Sequence, residues 1–467
     1  MNYYDVVVIG SGPGGYISAI RCSQLGFNTA IIEKYKYFGG TCLNVGCIPS
    51  KTLLSSAENY HKAKNIFYNH GIQFDNLLLD ITKMMNRKKN IINKICEGIK
   101  YLFIKYNIKT YLGTAIFKDK NTISILDSDS NSKIIKFTYA IIATGSKPME
   151  LPFAKIDGNK IISSTNILSL NYIPKKLSII GGGVIGIELG SLYNKIGSDV
   201  TIIEYEKNII SNLDLDLSKE LENILKKNGI KFYLSTKVES IDLIKDNVKI
   251  NAKINKNDDI NIICDCCLLS IGRIPYTNNL GLENIGIKKD KKGFILVNNN
   301  LQTNIENIYA IGDVIGGLML AHKAEKEGIF VSDKIYANKN IINYNLIPSV
   351  IYTNPEVASV GKSEKELKDF NRKYKIGKFP IKALGRAISS GEINGFVKIL
   401  SDELTDEILG IHMIGPRVSD IIIEAVLAME FKASSEDLSL ISYAHPTFTE
   451  AVKEAALIAT GNKPIHI

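Results

Sequence analysis

Two cysteines that lie close together in the chain are the residues best able to do chemistry. Cys42 and Cys47 belong to the segment GGTCLNVGCIPSK, which occupies residues 39–51. A thiol near the start of a helix has a lowered pKa and therefore carries more of the nucleophilic thiolate. The pair admits three interpretations: a structural disulfide, half of a metal site, or two thiols that open and close a disulfide during a reaction.

Geometry and ligand number weigh against the first two interpretations. Residues i and i+5 of a regular helix lie roughly 8–9 Å apart, beyond the ~7 Å that a disulfide spans. The pair can close only where the helix is irregular, as Gly46 and Pro49 allow. A metal site needs three or four soft ligands, and no further Cys or His lies near the pair in the sequence. We therefore predict no metal and favour a redox pair.

A second group of cysteines, Cys264, Cys266 and Cys267, lies in an apolar, strand-like run. Cysteine is among the most frequently buried residue types and packs like a small apolar side chain. We expect these three to be buried packing residues rather than metal ligands.

Two segments, residues 1–35 and 176–206, repeat one pattern of strand, Gly-rich turn, helix and second strand. Each turn contains G-x-G-x-x-G, in which the first glycine permits the tight turn and the second lets a pyrophosphate approach the backbone. The third glycine lets the helix pack on the strand, and the helix N-terminus stabilises the anion. The glycines are Gly10, Gly12 and Gly15 in the first copy and Gly181, Gly183 and Gly186 in the second.

An acidic residue ends the second strand of each copy, Glu33 in the first and Glu204 in the second. Such a carboxylate accepts hydrogen bonds from a ribose diol and repels a 2′-phosphate. Two copies of the pattern therefore predict two dinucleotide sites. Glu204 favours NAD over NADP if the second copy binds the nicotinamide cofactor.

Segments in a fixed order along the whole chain resemble one protein family. They are the cysteine segment, the two Gly-rich units, and the strings ATGSKP, IGRIPYT, TNIENIYAIGDV, LAHKAEKEG, TNPEVASVG and AHPTFTE. Together they resemble the flavin-dependent pyridine nucleotide-disulfide oxidoreductases, and within that family the dihydrolipoyl dehydrogenases most closely.

The resemblance implies an α/β fold with two Rossmann-like nucleotide-binding domains and an α+β C-terminal interface domain. The FAD-binding domain would comprise residues 1–149 and 274–347, and the NAD-binding domain residues 150–273. The interface domain would comprise residues 348–467 and would form a homodimer.

The resemblance also implies which residues surround the two cofactors. Around FAD it places Gly10, Gly12, Gly15, Glu33, Lys51, Ala115, Ala143, Thr144, Gly145, Asp313 and Ala321. Around NAD it places Gly181, Gly182, Gly183, Val184, Ile185, Gly186, Glu188, Glu204, Val238 and Gly272. Further cofactor-binding residues that it implies are Gly14, Lys34, Gly39, Gly40, Thr41, Cys42, Met319, Leu320 and His322.

The resemblance also implies a separate role for each reactive side chain. Cys42 would exchange with a dithiol substrate, and Cys47 would lie against the flavin. Lys51 would sit near the flavin ring, paired with Glu188. From the residues alone, Lys51 could instead be an ordinary surface lysine and Glu188 a glutamate that stabilises its helix.

His445 would act as general base and acid, oriented by Glu450, and would come from the partner subunit. Pro446 disfavours the α conformation at His445, so the two side chains can converge as they could not at i,i+5 on a helix. A carboxylate partner also fixes the tautomer of a histidine. Taken alone, His445 has the features of an ordinary turn histidine, and only the other motifs favour a catalytic role.

The implied activity is reoxidation of protein-bound dihydrolipoamide, with electrons passing by way of FAD to NAD+. The partners would then be lipoyl domains of 2-oxo acid dehydrogenase or glycine cleavage complexes. Two alternatives stay open: another flavin disulfide reductase of the glutathione type, or a non-catalytic flavoprotein subunit. A glutathione-type enzyme would favour basic residues near residue 204, where this chain has Glu-Tyr-Glu.

Composition excludes other classes of partner. Lys and Arg number 57 against 48 Asp and Glu, but the net charge of +9 is spread evenly and forms no basic stripe, so we predict no nucleic-acid partner. No apolar run is long enough to span a bilayer, so we predict no membrane association. A strand pattern starts almost at the N-terminus and leaves no room for a targeting peptide. We expect a cytoplasmic protein, or one of the mitochondrial matrix if a presequence has been removed.

Overall fold

The computed structural model describes residues 2–255, 258–337 and 341–466 of the chain. Its strands are β1 (Asn2–Ile9), β2 (Thr29–Glu33), β3 (Lys109–Leu112), β4 (Thr114–Asp119), β5 (Thr122–Leu126), β6 (Ser132–Ile142), β7 (Ser146–Pro148), β8 (Ile161–Ser163), β9 (Lys176–Ile180), β10 (Asp199–Ile203), β11 (Lys231–Tyr233), β12 (Thr236–Ile244), β13 (Asn247–Ile254), β14 (Asp258–Cys264), β15 (Cys266–Leu269), β16 (Arg273–Pro275), β17 (Ile308–Ala310), β18 (Ser349–Ile351), β19 (Glu356–Gly361), β20 (Tyr374–Pro380), β21 (Phe396–Asp402) and β22 (Ile408–Gly415). Its α-helices are α1 (Pro13–Gln24), α2 (Gly40–Val45), α3 (Cys47–Asn65), α4 (Ile81–Lys105), α5 (Ser164–Ile167), α6 (Val184–Lys195), α7 (Leu215–Lys227), α8 (Ala321–Ile335), α9 (Glu364–Asp369), α10 (Gly385–Ser390), α11 (Val418–Glu430), α12 (Ser435–Leu440) and α13 (Glu450–Ala459).

The first Gly-rich unit forms the centre of the largest sheet. Its strand order is β3-β2-β1-β6-β5-β4, with β17 also paired to β6, and β1 runs parallel to both β2 and β6. In β1, Val8 lies opposite Ile31 on one side and Ile141 on the other, and all three side chains are fully buried. Parallel strands with both faces covered read as continuous apolar runs, which is why these strands carry so few polar residues.

The second Gly-rich unit forms a separate parallel sheet with the order β11-β10-β9-β15-β8. Ile179 of β9 lies between Ile202 and Leu268, and all three are buried. A small antiparallel sheet, β12-β13-β14, is inserted in the chain between β11 and β15. The parallel strands at the centre of the first sheet and the parallel second sheet confirm the predicted α/β class with two Rossmann-like units, whereas the predicted domain boundaries stay a prediction.

The C-terminal part is an α+β unit, as predicted. Strands β18-β19-β22-β21-β20 form an antiparallel sheet, and helix α13 packs on β20 and β21. A Cβ on Gly377 of β20 would lie 1.9 Å from the carbonyl oxygen of Ala455, so this close helix–sheet contact requires glycine. In the described ranges, no helix is both long enough and apolar enough to cross a membrane.

Candidate active site

A glycine separates the two helices that carry the cysteine pair. Cys42 lies on α2, and Cys47 is the first residue of α3. Gly46 between them has φ −142° and ψ −114°, far from helical values. A Cβ on Gly46 would lie 2.8 Å from the carbonyl oxygen of Thr41. The break in the helix lies at Gly46, one of the two residues that the sequence analysis named as allowing an irregular helix, and it brings the two thiols into hydrogen-bonding contact.

The two thiols are free in the structure and differ in acidity. The pKa of Cys47 is lowered to about 7, first by the hydrogen bond from the Cys42 thiol and then by the charge of Lys51, which together outweigh burial. The pKa of Cys42 is raised, chiefly because its proton is held in that same hydrogen bond and further because the thiol is buried. Of the reduced pair, Cys47 is therefore the thiol that ionises first.

An ion pair fixes Lys51 beside the thiols. Lys51 Nζ lies 2.7 Å from Glu188 Oε2, and it also lies 4.5 Å from the centre of the Tyr352 ring. Glu188 is buried, and its Oε1 accepts a hydrogen bond from the Tyr352 backbone N–H at 2.9 Å. Because both carboxylate oxygens are bonded, Glu188 holds the ammonium of Lys51 in one place. The expected pairing of Lys51 with Glu188 is therefore present.

Steric contacts explain the first and third glycines of each Gly-rich turn. Gly10 and Gly181 have φ of +97° and +106°, values that side-chain-bearing residues rarely adopt. A Cβ on Gly15 would lie 1.9 Å from the carbonyl oxygen of Gly10. A Cβ on Gly186 would meet the equivalent oxygen of the second turn at 2.0 Å. In both copies, therefore, the helix packs directly on the turn that precedes it.

The second glycine of each turn faces open space instead. Nothing lies within 4 Å of a Cβ built on Gly12 or on Gly183, and both glycines line a cavity immediately before a helix N-terminus. A side chain at either position would occupy the space that an anion at the helix N-terminus needs. A Cβ on Gly40 would lie 2.5 Å from the Gly12 Cα, so the helix of Cys42 begins against the first turn.

In both Gly-rich units, the glutamate at the end of the second strand accepts hydrogen bonds from the Gly-rich turn. Glu33 Oε2 accepts hydrogen bonds from the N–H and the hydroxyl of Ser11 at 2.9 and 2.6 Å. Glu204 Oε2 accepts one from the Gly182 N–H at 2.5 Å. Each Gly-rich turn therefore has an anionic acceptor beside it, which suits a ribose diol.

A cavity of about 1730 Å³ joins the two turns and the cysteine pair. It exceeds the roughly 300–1,000 Å³ of ordinary small-molecule pockets. The predicted cofactor-binding residues that line it are Gly10, Gly12, Gly14, Glu33, Lys34, Gly40, Thr41, Cys42, Lys51, Ala115, Ala143, Thr144, Gly145, Gly181, Gly183, Val184, Ile185, Glu188, Glu204, Val238, Gly272, Asp313, Met319, Leu320, Ala321 and His322. The predicted residues that do not line it are Gly15, Gly39, Gly182 and Gly186.

These four glycines contact the Gly-rich turns on the side away from the cavity. Gly15 and Gly186 are the third glycines of the motifs, and Gly182 donates its N–H to Glu204. Gly39 has φ +101°, and its N–H donates to the carbonyl oxygen of Ser11 at 3.0 Å. These glycines therefore support the residues of the cavity wall and do not line the cavity themselves.

His445 and Glu450 form a pair outside this cavity. His445 Nδ1 lies 2.8 Å from Glu450 Oε1, and the Thr447 N–H donates to Oε2 at 2.9 Å. Burial raises the pKa of Glu450, but the hydrogen bonds from His445 and Thr447 outweigh burial and leave that pKa below its usual value. The His445 side chain is 67% exposed, so its other ring nitrogen is open to solvent in a single chain. The structure of one chain does not bring this pair to Cys42.

Neither the second group of cysteines nor the one cluster of acids among the described residues offers comparable chemistry. Cys264, Cys266 and Cys267 are buried in β14 and β15, as expected of packing residues. The one group of potential metal ligands in the described part of the chain consists of Asp214, Asp216 and Glu364. Lys398 Nζ lies 2.6–3.1 Å from their oxygens, so an ammonium already occupies the place that a metal ion would take.

Comparison with known proteins identifies the family. The sequence profile described as pyridine nucleotide-disulphide oxidoreductase matches residues 4–328, and the dimerisation domain of the same description matches residues 347–456. The chain belongs to the pyridine nucleotide-disulphide oxidoreductases.

Close relatives of this oxidoreductase are known in plants and animals. The mitochondrial dihydrolipoyl dehydrogenase of Pisum sativum is 45% identical over 464 residues, which cover 99% of this chain and 92% of the relative. The mitochondrial dihydrolipoyl dehydrogenase of Mus musculus is 45% identical over 467 residues, with the same coverage of 99% and 92%. Among solved structures, a Cu(II) complex of the flavoprotein disulfide reductase RclA from Escherichia coli has a TM-score of 0.88 and 26% identity, covering 98% of this chain and 100% of that one.

Enzymes of this family use FAD and NAD, and the cavity of this oxidoreductase fits both. Each Gly-rich turn forms a cradle that a single Cβ would fill, with an acid beside it. The first turn, against which the helix of Cys42 begins, would hold FAD, and the second turn, with Glu204, would hold NAD. The helix N-terminus behind each cradle would meet the negative charge of a pyrophosphate.

Polar residues that the sequence interpretation did not include also line the cavity, and among them are Arg273, Ser146 and Tyr352. Arg273 donates from Nε and Nη2 to the hydroxyl and the carbonyl of Ser146, both at 2.7 Å. The Ser146 hydroxyl donates in turn to Asp313 Oδ2 at 2.5 Å. Arg273 and Ser146 lie in the strings IGRIPYT and ATGSKP, so the resemblance pointed to them. Tyr352, which contacts Lys51, carries no such signal.

Proposed function

We propose that this chain is a dihydrolipoyl dehydrogenase, which oxidises protein-bound dihydrolipoamide and reduces NAD+ to NADH. The observation that carries the proposal is that a single cavity holds the thiol pair and both Gly-rich turns. Identity of 45% to dihydrolipoyl dehydrogenases along nearly the whole chain supports the choice of substrate.

Thiol–disulfide exchange at the cysteine pair is the reaction that the chain itself performs. In the oxidised enzyme, a thiolate of dihydrolipoamide attacks Cys42 Sγ, and Cys47 leaves as a thiolate. The second substrate thiolate then attacks its own mixed-disulfide sulfur, which closes lipoamide and leaves both cysteines reduced. Attack at Cys42 is favoured because a leaving thiol of lower pKa leaves faster, and the nearby charge of Lys51 lowers the pKa of Cys47.

His445 would take the proton that the substrate dithiol must lose. Its Nδ1 faces Glu450, so the opposite ring nitrogen is the one directed to a substrate. Glu450 keeps its negative charge because its pKa is lowered, and it therefore holds the imidazole in one tautomer and orientation.

Bound FAD and NAD+ supply the two-electron acceptors that return the cysteine pair to the disulfide. On the protein side, Lys51 stabilises the Cys47 thiolate next to the cavity. Glu204, whose Oε1 also accepts a hydrogen bond from the Glu206 N–H at 2.7 Å, favours a free ribose diol over a 2′-phosphate. We therefore propose NAD rather than NADP as the acceptor.

The functional unit that we propose is a homodimer. Three apolar side chains lie on one face along α11 and at its end, and they are 56%, 51% and 80% exposed: Ile423, Leu427 and Phe431. They lie in the segment that matches the dimerisation domain. A second copy that covers this face would also bring its His445 to the cysteine pair, which one chain leaves without a base.

The partners that we propose are lipoyl domains of 2-oxo acid dehydrogenase or glycine cleavage complexes, since these carry dihydrolipoamide. The proposed compartment is the cytoplasm or the mitochondrial matrix, and the relatives in pea and mouse are named as mitochondrial enzymes.

Steady-state kinetics test the proposal against its nearest rivals. Dihydrolipoamide is supplied with NAD+ or NADP+, and glutathione disulfide is supplied with NADH or NADPH. We expect turnover with dihydrolipoamide and NAD+ and far less with the other three combinations. Turnover of glutathione disulfide with NADPH would replace the proposal with a glutathione-type reductase. Bound flavin without turnover in any combination would indicate a non-catalytic subunit.

A further inference from the structure

A second histidine–glutamate pair lies one helical turn from the pair of His445 and Glu450. Glu454 follows Glu450 by four residues on α13, so the two carboxylates lie on the same helix face. His466 Nδ1 lies 2.7 Å from Glu454 Oε1, just as His445 Nδ1 lies 2.8 Å from Glu450 Oε1. Both carboxylates are buried, whereas both imidazoles reach solvent.

The C-terminal segment is held in place by Glu454. Oε2 of Glu454 accepts hydrogen bonds from the N–H of Ile465 at 2.7 Å and from the N–H of His466 at 3.5 Å. Helix α13 ends at Ala459, so the following residues turn back along the helix to reach Glu454. This return places His466 close enough to Glu450 for a positive charge on its ring to contribute to the lowered pKa of Glu450.

We propose that His466 is a positioning residue for the dithiol reaction: with Glu454, it sets the charge beside the carboxylate that orients His445. Two buried carboxylates one turn apart repel each other, and a cationic imidazole on the second relieves the first. The inference rests on the proposed function, because it assigns to His466 an effect on the base of that reaction.

Most other charged side chains on the elements packed against α13 have partners of their own. These are Lys375 (with Asp406) and Lys378 (with Asp216) on β20, Lys398 (with the acidic cluster) and Asp402 (with Arg372) on β21, and Asp437 (with Ser434) on α12. Tyr374 on β20 donates to Glu364. Four other charged side chains lie nearby: Glu436 on α12, Lys453 on α13, Lys463 in the C-terminal segment and Arg386 against the ring of Phe448. None of them is changed in the test.

The test replaces His466 by asparagine, which keeps a donor for Glu454 but carries no charge. In His466→Asn no cation faces Glu454. The negative charge of Glu454 then favours the protonated form of His445. We expect the midpoint of the acid limb of kcat/KM for dihydrolipoamide to move up by about half a pH unit. The NMR titration of the His445 ring, labelled with ¹³C and assigned with His445→Gln, should move by the same amount. His466→Lys, which restores a cation, should return both midpoints to the wild-type values.

His70→Asn is the matched control, since His70 is an exposed histidine on a separate short turn. If wild-type protein oxidises dihydrolipoamide and His466→Asn has the same midpoints as this control, the inference is overturned and His466 only anchors the chain end. If the wild-type protein shows no turnover, the proposed function fails. The NMR titration of His445 would still support or overturn the effect of His466.

Discussion

The hydrogen bond between the two thiols, together with the charge of Lys51, decides which cysteine of the reduced pair carries the charge. The ammonium of Lys51 is fixed by Glu188 and lowers the pKa of Cys47, whereas Cys42 keeps its proton in the hydrogen bond between the thiols. In the reduced pair the two cysteines are therefore unequal. In the proposed reaction, the charge of Lys51 also favours attack at Cys42, because Cys47 then leaves as the thiolate that Lys51 stabilises.

Removal of the Lys51 charge should raise the pKa of Cys47. In Lys51→Gln the thiolate of the reduced enzyme should appear at a pH about one unit above the wild-type midpoint of about 7, because the charge of Lys51 no longer stabilises it. The pH titration of the long-wavelength thiolate–flavin absorbance band measures this midpoint. Lys64→Gln, an exposed lysine on the same helix, should leave it unchanged. Equal midpoints in the two variants would contradict the role of Lys51.

Loss of the attacked sulfur should abolish turnover without loss of the cofactor. We expect Cys42→Ser to lower dihydrolipoamide turnover by at least about 10³-fold, because the exchange has no other entry point. The variant should remain yellow, since the flavin cradle is formed by the first Gly-rich turn. Turnover assays and a visible spectrum check both expectations, and either a colourless or an active variant would contradict the assignment.

At the level of elements, the two Gly-rich turns are built alike but should serve different cofactors. A Cβ on Gly12 or on Gly183 meets no protein atom within 4 Å, so alanine at either position should fold normally. The added methyl would stand in the cradle, and each substitution should therefore weaken only the cofactor of its own turn.

Gly12→Ala should lower the flavin content of the purified protein, measured by absorbance. Gly183→Ala should retain flavin and raise KM for NAD+ by about tenfold, the equivalent of ~1.4 kcal/mol. The two variants are matched controls for each other, with thermal unfolding as the check on folding. Loss of flavin from Gly183→Ala, or a raised KM for NAD+ with normal flavin content in Gly12→Ala, would contradict this assignment. Such a result would place FAD at the second turn and NAD at the first.

The elements that the sequence predicted are those encoded by local patterns. The two strand–turn–helix units and the helix break at Gly46 follow from glycines whose roles depend on neighbours a few residues away. Contacts between distant segments had no such signal. Tyr352 reaches Lys51, and His466 reaches Glu454, only because the chain has folded. No spacing rule predicts which of many tyrosines or histidines will occupy such a place.

For the whole molecule, each proposed active site needs residues from two chains. The cavity of one chain holds the cysteine pair and both cradles, while His445 lies outside it on the unit that matches the dimerisation domain. The exposed apolar face of α11 is on the same unit. Formation of the dimer would therefore bury this face and complete the site in a single step.

Complementation between two inactive subunits tests this shared site most directly. Cys42→Ser and His445→Gln subunits are co-expressed with different affinity tags, and heterodimers are isolated on both tags. If His445 serves the cysteine pair of its partner, one site of each heterodimer is intact, and turnover should reach about half of the wild-type value. Each homodimeric variant should be inactive. Heterodimers as inactive as the two parents would contradict the account, because every site would then depend on Cys42 and His445 of the same chain.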